Sequence, residues 1–150
     1  MSQNSETVYR NSIHRHLDKT IIHQEKMSNP YRGGTFDDWY SGKTRTDKGI
    51  FSGSDLWIEY KFQSQLGSVK PNLSPLQYLW GAERFQEGRN VAVIVGMPQG
   101  SIILKREEWE LRIPVLEVES RLISRKETAA LITAFVTTQY AIQPELWRFI

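Results

Sequence analysis

Residues 55–62 alternate without a break: Leu56, Ile58, Tyr60 and Phe62 fall on one side, Asp55, Trp57, Glu59 and Lys61 on the other. Period two over eight residues is the pattern of a β-strand that turns its apolar side to a core. A shorter strand is predicted at 35–41, entered through Gly33 and Gly34 and carrying the aromatic pair Trp39 and Tyr40. The polar stretch 41–54, rich in Gly, Ser, Thr and Lys, reads as the connection between the two and makes them antiparallel neighbours. Upstream, Val8, Ile13 and Leu17 mark a helix over 7–18, and 20–27 a first strand that stops at the Asn29-Pro30 break.

Downstream, Ser74 is a good N-cap, Pro75 suits the first helical position and Gly88 ends the helix between them. The almost wholly apolar run 91–96 reads as a strand covered on both faces, paired with 101–104 across Pro98-Gln99-Gly100. Ser124 to Glu127 form a capping-box signature that opens a last helix to about residue 138. That helix is apolar on most sides (Ala129, Leu131, Ile132, Phe135, Val136), so it is buried in the fold or in a subunit contact. Residues 105–123 give no readable pattern. Without repeats or linkers, periodicity yields an α/β or α+β fold around one sheet, in a single domain over 1–150.

Composition narrows the class. With 150 residues, 39% of them hydrophobic and 24% charged, the chain fits one globular domain. No apolar run approaches bilayer length and the first ten residues are polar, so neither a signal peptide nor a membrane span is expected, and a cytoplasmic location is. The absence of cysteine excludes disulfides and thiolate metal sites. A net charge of +2 is too mild to argue for nucleic acid by itself. More informative is where the cations fall: Arg32, Lys43, Arg45, Lys48 and Lys70 flank the two central strands, where they could meet phosphates, and Arg84 lies two turns beyond Gln77 on the same helical side.

Glu59 and Lys61 lie two apart on one strand face, and the hairpin brings Asp37 beside them. Alone, an E-x-K is more often a solvated strand face than a site. Two carboxylates and an amine at one spot suit hydrolysis of a phosphodiester with a divalent metal. Mg²⁺ takes oxygen ligands, keeps several waters and needs only one or two protein carboxylates. It polarises the phosphoryl group, and a neighbouring amine can orient the attacking water. The Tyr60 carbonyl, between the two strand residues, is a further candidate ligand. His14, His16 and His23 have no metal-binding spacing.

An acid, a gap and then E-x-K on a strand resembles the PD-(D/E)xK nuclease superfamily. The words Asn29-Pro30-Tyr31-Arg32-Gly33-Gly34-Thr35, Asp55 to Lys61 and Leu73-Ser74-Pro75-Leu76-Gln77 are similar to small phage-type and VRR-NUC-like members, close to Holliday-junction resolvases. The resemblance spans about 8–97. It implies a restriction-endonuclease-like α/β core of order α-β-β-β-α-β, a mixed sheet flanked by helices. It also implies Asp37 and Glu59 as metal-binding acids, Lys61 as the catalytic lysine and Gln77 as a helper on the following helix. Gln77 has a second reading, as the third helical residue of a capping box with Ser74. The family's proline is Phe36 here, and Asp38 follows Asp37 at once; the spacing to Gly-Thr and to the aromatics favours Asp37. Glu6 and Glu25 are the weak candidates for an acid that relatives carry on the first helix. Trp57 reads as packing against a neighbour more readily than as stacking on a base.

The implied activity is a Mg²⁺-dependent DNA endonuclease, with Mn²⁺ able to substitute, acting on branched or recombining DNA, as a homodimer by analogy. A nicking or structure-tolerant phage endonuclease, and a non-catalytic nucleic-acid-binding module on the same scaffold, are the alternatives.

Overall fold

A computed structural model describes residues 4–27, 33–45 and 51–137 of the chain. The first helix, α1 (Ser5–His14), starts where the Asn4 side chain accepts the Thr7 N–H at 2.8 Å. It stops four residues short of the predicted end. Asp18 takes the Thr20 N–H (2.9 Å) and hydroxyl (2.6 Å) onto its carboxylate, a local bond that competes with the helical one.

Then come β1 (Ile22–Lys26), β2 (Asp38–Gly42), the small hairpin β3 (Thr44–Arg45) and β4 (Phe51–Ser52), and β5 (Asp55–Phe62). They are followed by α2 (Pro75–Gln86), β6 (Val91–Met97), β7 (Gly100–Leu104), a 3₁₀ turn at Arg106–Glu108, α3 (Val115–Arg121) and α4 (Arg125–Thr137). The main sheet runs β1-β2-β5-β6-β7 and is antiparallel except between β5 and β6. A parallel pair needs a long crossover, and α2 supplies it. The Ser74 hydroxyl accepts the Gln77 N–H, the Gln77 side chain returns to the Ser74 N–H, and Gly88 (φ +80°) takes the left-handed turn beyond the helix end.

Each face of the sheet has its own apolar layer. On one, Tyr9, Ile13, Tyr40, Ile58, Tyr60 and Ile94 pack with Ile132 and Phe135 of α4. On the other, Phe36, Val93, Val95, Ile102, Trp109 and Val118 pack with Tyr78 and Trp80 of α2. The strand expected to be half-buried is therefore central: β5 is covered on both sides and Glu59 is 1% exposed. Helix α4 spends Ala129, Ile132, Phe135 and Val136 on its own fold, so its apolar character carries no argument for a dimer.

Strand β2 starts three residues later than expected, and two further segments depart from the expected outline. The polar 41–54 connection holds the β3–β4 hairpin, and 105–123 is ordered by buried Trp109, Ile113 and Val118. There Arg121 donates to both Glu108 oxygens (2.6 and 2.9 Å) and to the Ile103 carbonyl (2.9 Å).

Candidate active site

Strand register decides which acids meet. Asp38 pairs with Ile58, so each faces the α1–α4 layer, while Glu59, next along β5, faces α2 and Asp37 lies beside it just ahead of β2. The Asp37 N–H donates to Glu59 Oε2 at 3.2 Å. Asp38, fully buried, accepts from Gln24 Nε2 at 2.6 Å and lies 3.6 Å from Arg10 Nη1. Burial lifts its pKa to about 6, against the opposing pull of Arg10 and the Gln24 bond. The two adjacent aspartates are thus divided between the faces of the sheet.

Helix α2 closes the cluster from above. Gln77 Nε2 donates to Glu59 Oε1 at 2.6 Å, and Lys61 Nζ donates to Gln77 Oε1 at 3.1 Å while standing 3.6 Å from Glu59 Oε1. Gln77 serves as cap and as bridge at once: one amide group completes the capping box and links the acid to the amine. The helix comes this close because residue 81 is glycine. A Cβ there would lie 2.4 Å from the Phe36 ring and 2.9 Å from Trp109. Phe36, standing where the resemblance has proline, packs at 5.1 Å from Trp80 and 5.7 Å from Trp109 and anchors the backbone just before Asp37.

The electrostatics of this cluster centre on Glu59. Burial, reinforced by the Asp37 charge, pushes its pKa up to about 8, although Lys61 and the Asp37 N–H pull the other way and Glu6 adds to the rise. Glu6, in the first turn of α1, feels both Lys61 and Asp37; burial is the largest cause of its raised pKa. It is therefore the first-helix acid that lies near the cluster. Glu25 is on edge strand β1, 57% exposed and 3.5 Å from His23, so its carboxylate is engaged elsewhere. Tyr60 turns its ring into the opposite layer, where its hydroxyl meets that of Tyr40 at 2.6 Å; its backbone is its one route to the site.

Of the residues expected to meet phosphates, Lys43 and Lys70 are exposed. Arg84 donates to Glu87 at 2.9 Å and lies over Trp80, so its charge is paired locally. Arg32, Lys48 and the side chain of Arg45 lie outside the described residues. His14 is half-buried and hydrogen-bonded to the Tyr40 hydroxyl at 2.6 Å; partial burial lowers its pKa to about 4. Sequence reasoning missed the support beneath the acids, Arg10 and Gln24 on Asp38. The four-residue spacing of Glu6 and Arg10, one helical face, was the available signal.

The donor set can be tested against a metal. The described residues contain no group of three His, Cys, Asp or Glu side chains placed to hold an ion. A zinc-like site is not what they build. Two carboxylates with oxygen donors around them, one kept protonated near neutrality by burial and then by its neighbour's charge, do fit a hard cation that retains its waters.

No protein-family model and no curated protein matches the chain. Among solved structures it is similar to Hjc of Archaeoglobus fulgidus, a Holliday junction resolvase from an archaeal hyperthermophile. The TM-score is 0.51 at 17% identity, over 84% of this chain and 98% of that one. At that identity the likeness shows the fold. The chain has a restriction-endonuclease-like α/β architecture, a mixed five-stranded sheet with flanking helices.

Proposed function

We propose that the protein is a divalent-metal-dependent endonuclease that hydrolyses DNA phosphodiester bonds, with branched or recombining DNA as its substrate. The observation that carries this reading is the convergence of Asp37, Glu59, Lys61 and Gln77 at one point under α2. The Holliday junction resolvase fold it is built on supports the choice of substrate. Membership among the phage-type, VRR-NUC-like enzymes rests on the sequence words around residues 29–35 and 73–77.

Asp37 and Glu59 would hold the ion, with the Tyr60 carbonyl and Glu6 as further oxygen donors, and Mg²⁺ or Mn²⁺ suits such a set. When bound, the ion polarises the phosphoryl oxygens and acidifies a water. The chain's own residues do the rest. Lys61, held by Gln77, orients a water by donating to its oxygen and offsets the charge that builds on phosphorus. Gln77 fixes the Glu59 carboxylate. Water oxygen bonds to phosphorus and gives up a proton to solvent as the bond to the 3′ oxygen breaks, the 3′ oxygen takes up a proton from solvent, and a 5′ phosphate remains.

The test presents purified protein and Mg²⁺ with labelled four-way junction, nicked duplex, plain duplex and single strand. Cleavage of the junction fastest, leaving 5′ phosphate ends and stopping with EDTA, is expected. Failure to cut any of the four would end the reading.

A further inference from the structure

The acid-bearing face of the sheet continues beyond the acids into residues that hydrolysis does not use. Along β2, Trp39 and Ser41 face one way, at about 6.8 Å per step, and Asp37 stands just ahead of the strand. Trp39 is opposite Trp57 in the register, with ring centres 6.2 Å apart, and Trp57 meets Trp80 edge-on at 5.4 Å. The Trp39 indole N–H donates to Asp55 at 3.2 Å, and His23 stands against the ring at 5.7 Å. The indole is thus pinned by three neighbours, yet it is half-buried and belongs to neither apolar layer. An open groove of about 430 Å³ begins at Trp39 and runs past Ser41, Gly53 and Asp55 to Lys43.

A large aromatic ring held rigid at the surface, one step from a phosphate-cleaving cluster, has a chemical counterpart. Every nucleobase offers a π-face, and stacking on an aromatic side chain is tolerant of sequence. We propose that Trp39 is a stacking shelf for an unpaired nucleobase next to the scissile phosphate, with the groove receiving the base and Lys43 the phosphate beyond. The proposal rests on the hydrolase reading for the position of the scissile phosphate. It narrows the substrate to nucleic acid whose bases are already unstacked at the cut, as at a junction centre, a flap or a single strand. A fully paired duplex would have to extrude a base first.

The experiment measures binding by the Glu59→Gln protein in EDTA, so that no strand is cut. The probes are fluorescent oligothymidylate and a strand of equal length made of abasic sugar-phosphate. Oligothymidylate is expected to bind about tenfold tighter. Adding Trp39→Ala should abolish the difference, and adding Trp39→Phe should keep most of it, each shown folded by a cooperative thermal melt. Equal affinity of the Glu59→Gln protein for the two strands, or no binding to either, overturns the proposal without recourse to a Trp39 variant. So does a preference that survives Trp39→Ala. The wild-type junction assay reports on hydrolysis separately: a Trp39-dependent base preference in a protein that cuts nothing would sink the hydrolase reading and leave base stacking standing.

Discussion

Buried beside Asp37, the Glu59 carboxyl keeps its proton up to about pH 8, whereas in the unfolded chain it loses it near its ordinary 4.5. The folded state therefore binds one more proton between those values. Without a divalent cation, stability should fall as pH rises from about 4.5 to 8, by on the order of a few kcal/mol from this group. Urea unfolding in EDTA at pH 5, 6, 7 and 8 should show that slope in the wild type and a flatter one in Glu59→Gln. Equal slopes would contradict the assigned environment. At this scale the sequence was legible where one rule of geometry sufficed. Parity along β5 puts Glu59 and Lys61 on one face, and the pairing of Asp38 with Ile58 sends Asp38 to the other; Asp37, just ahead of β2, meets Glu59 through its N–H. Gln77 was legible as two roles, cap and helper at the site, that do not exclude each other. Nothing in the spacing of Ser74 and Gln77 says that the same amide reaches across to another element, because that contact depends on how closely α2 docks.

The docking distance belongs to the elements, and Gly81 sets it. Alanine is the better helix former by about 1 kcal/mol. A methyl group 2.4 Å from the Phe36 ring, with Trp80 and Trp109 already packed on that ring, costs about 1–3 kcal/mol of overpacking. The steric cost outweighs the gain. Gly81→Ala should lower the urea midpoint and, by lifting Gln77 from Glu59, slow DNA cleavage as well. An unchanged or raised midpoint would show that α2 is held by something else. Elements with a strong local signature were readable: the alternation of β5, the capping box and proline of α2, and the apolar run of β6 followed by a tight turn. The 105–123 segment was not, since its order comes from Arg121 reaching Glu108 and the Ile103 carbonyl, partners that no local period announces. The early end of α1 was encoded in Asp18 and Thr20, but a side chain closing its own turn competes quietly with an apolar repeat.

For the whole molecule, the sheet separates two tasks. The α1–α4 face carries a buried polar chain, His14 to Tyr40 to Tyr60, with Asp38 clamped by Arg10 and Gln24, and it gives β2 and β5 a fixed foundation. The α2 face carries the acids, the lysine and the tryptophan row. Helix α1 serves both, because it brings Arg10 to the foundation and Glu6 toward Lys61 and Asp37. No helix among the described residues is long and apolar enough to cross a membrane. In the proposed function the α2 face cuts a phosphodiester with Glu59 as an essential acid. The most direct test is single-turnover cleavage of a labelled four-way junction in Mg²⁺ by the wild type and by Glu59→Gln, each shown folded by thermal melting. Glu59→Gln should lose at least about 100-fold, the scale seen when one transition-state stabilising group is removed. A Glu59→Gln protein that cuts the junction as fast as the wild type would contradict the proposed function.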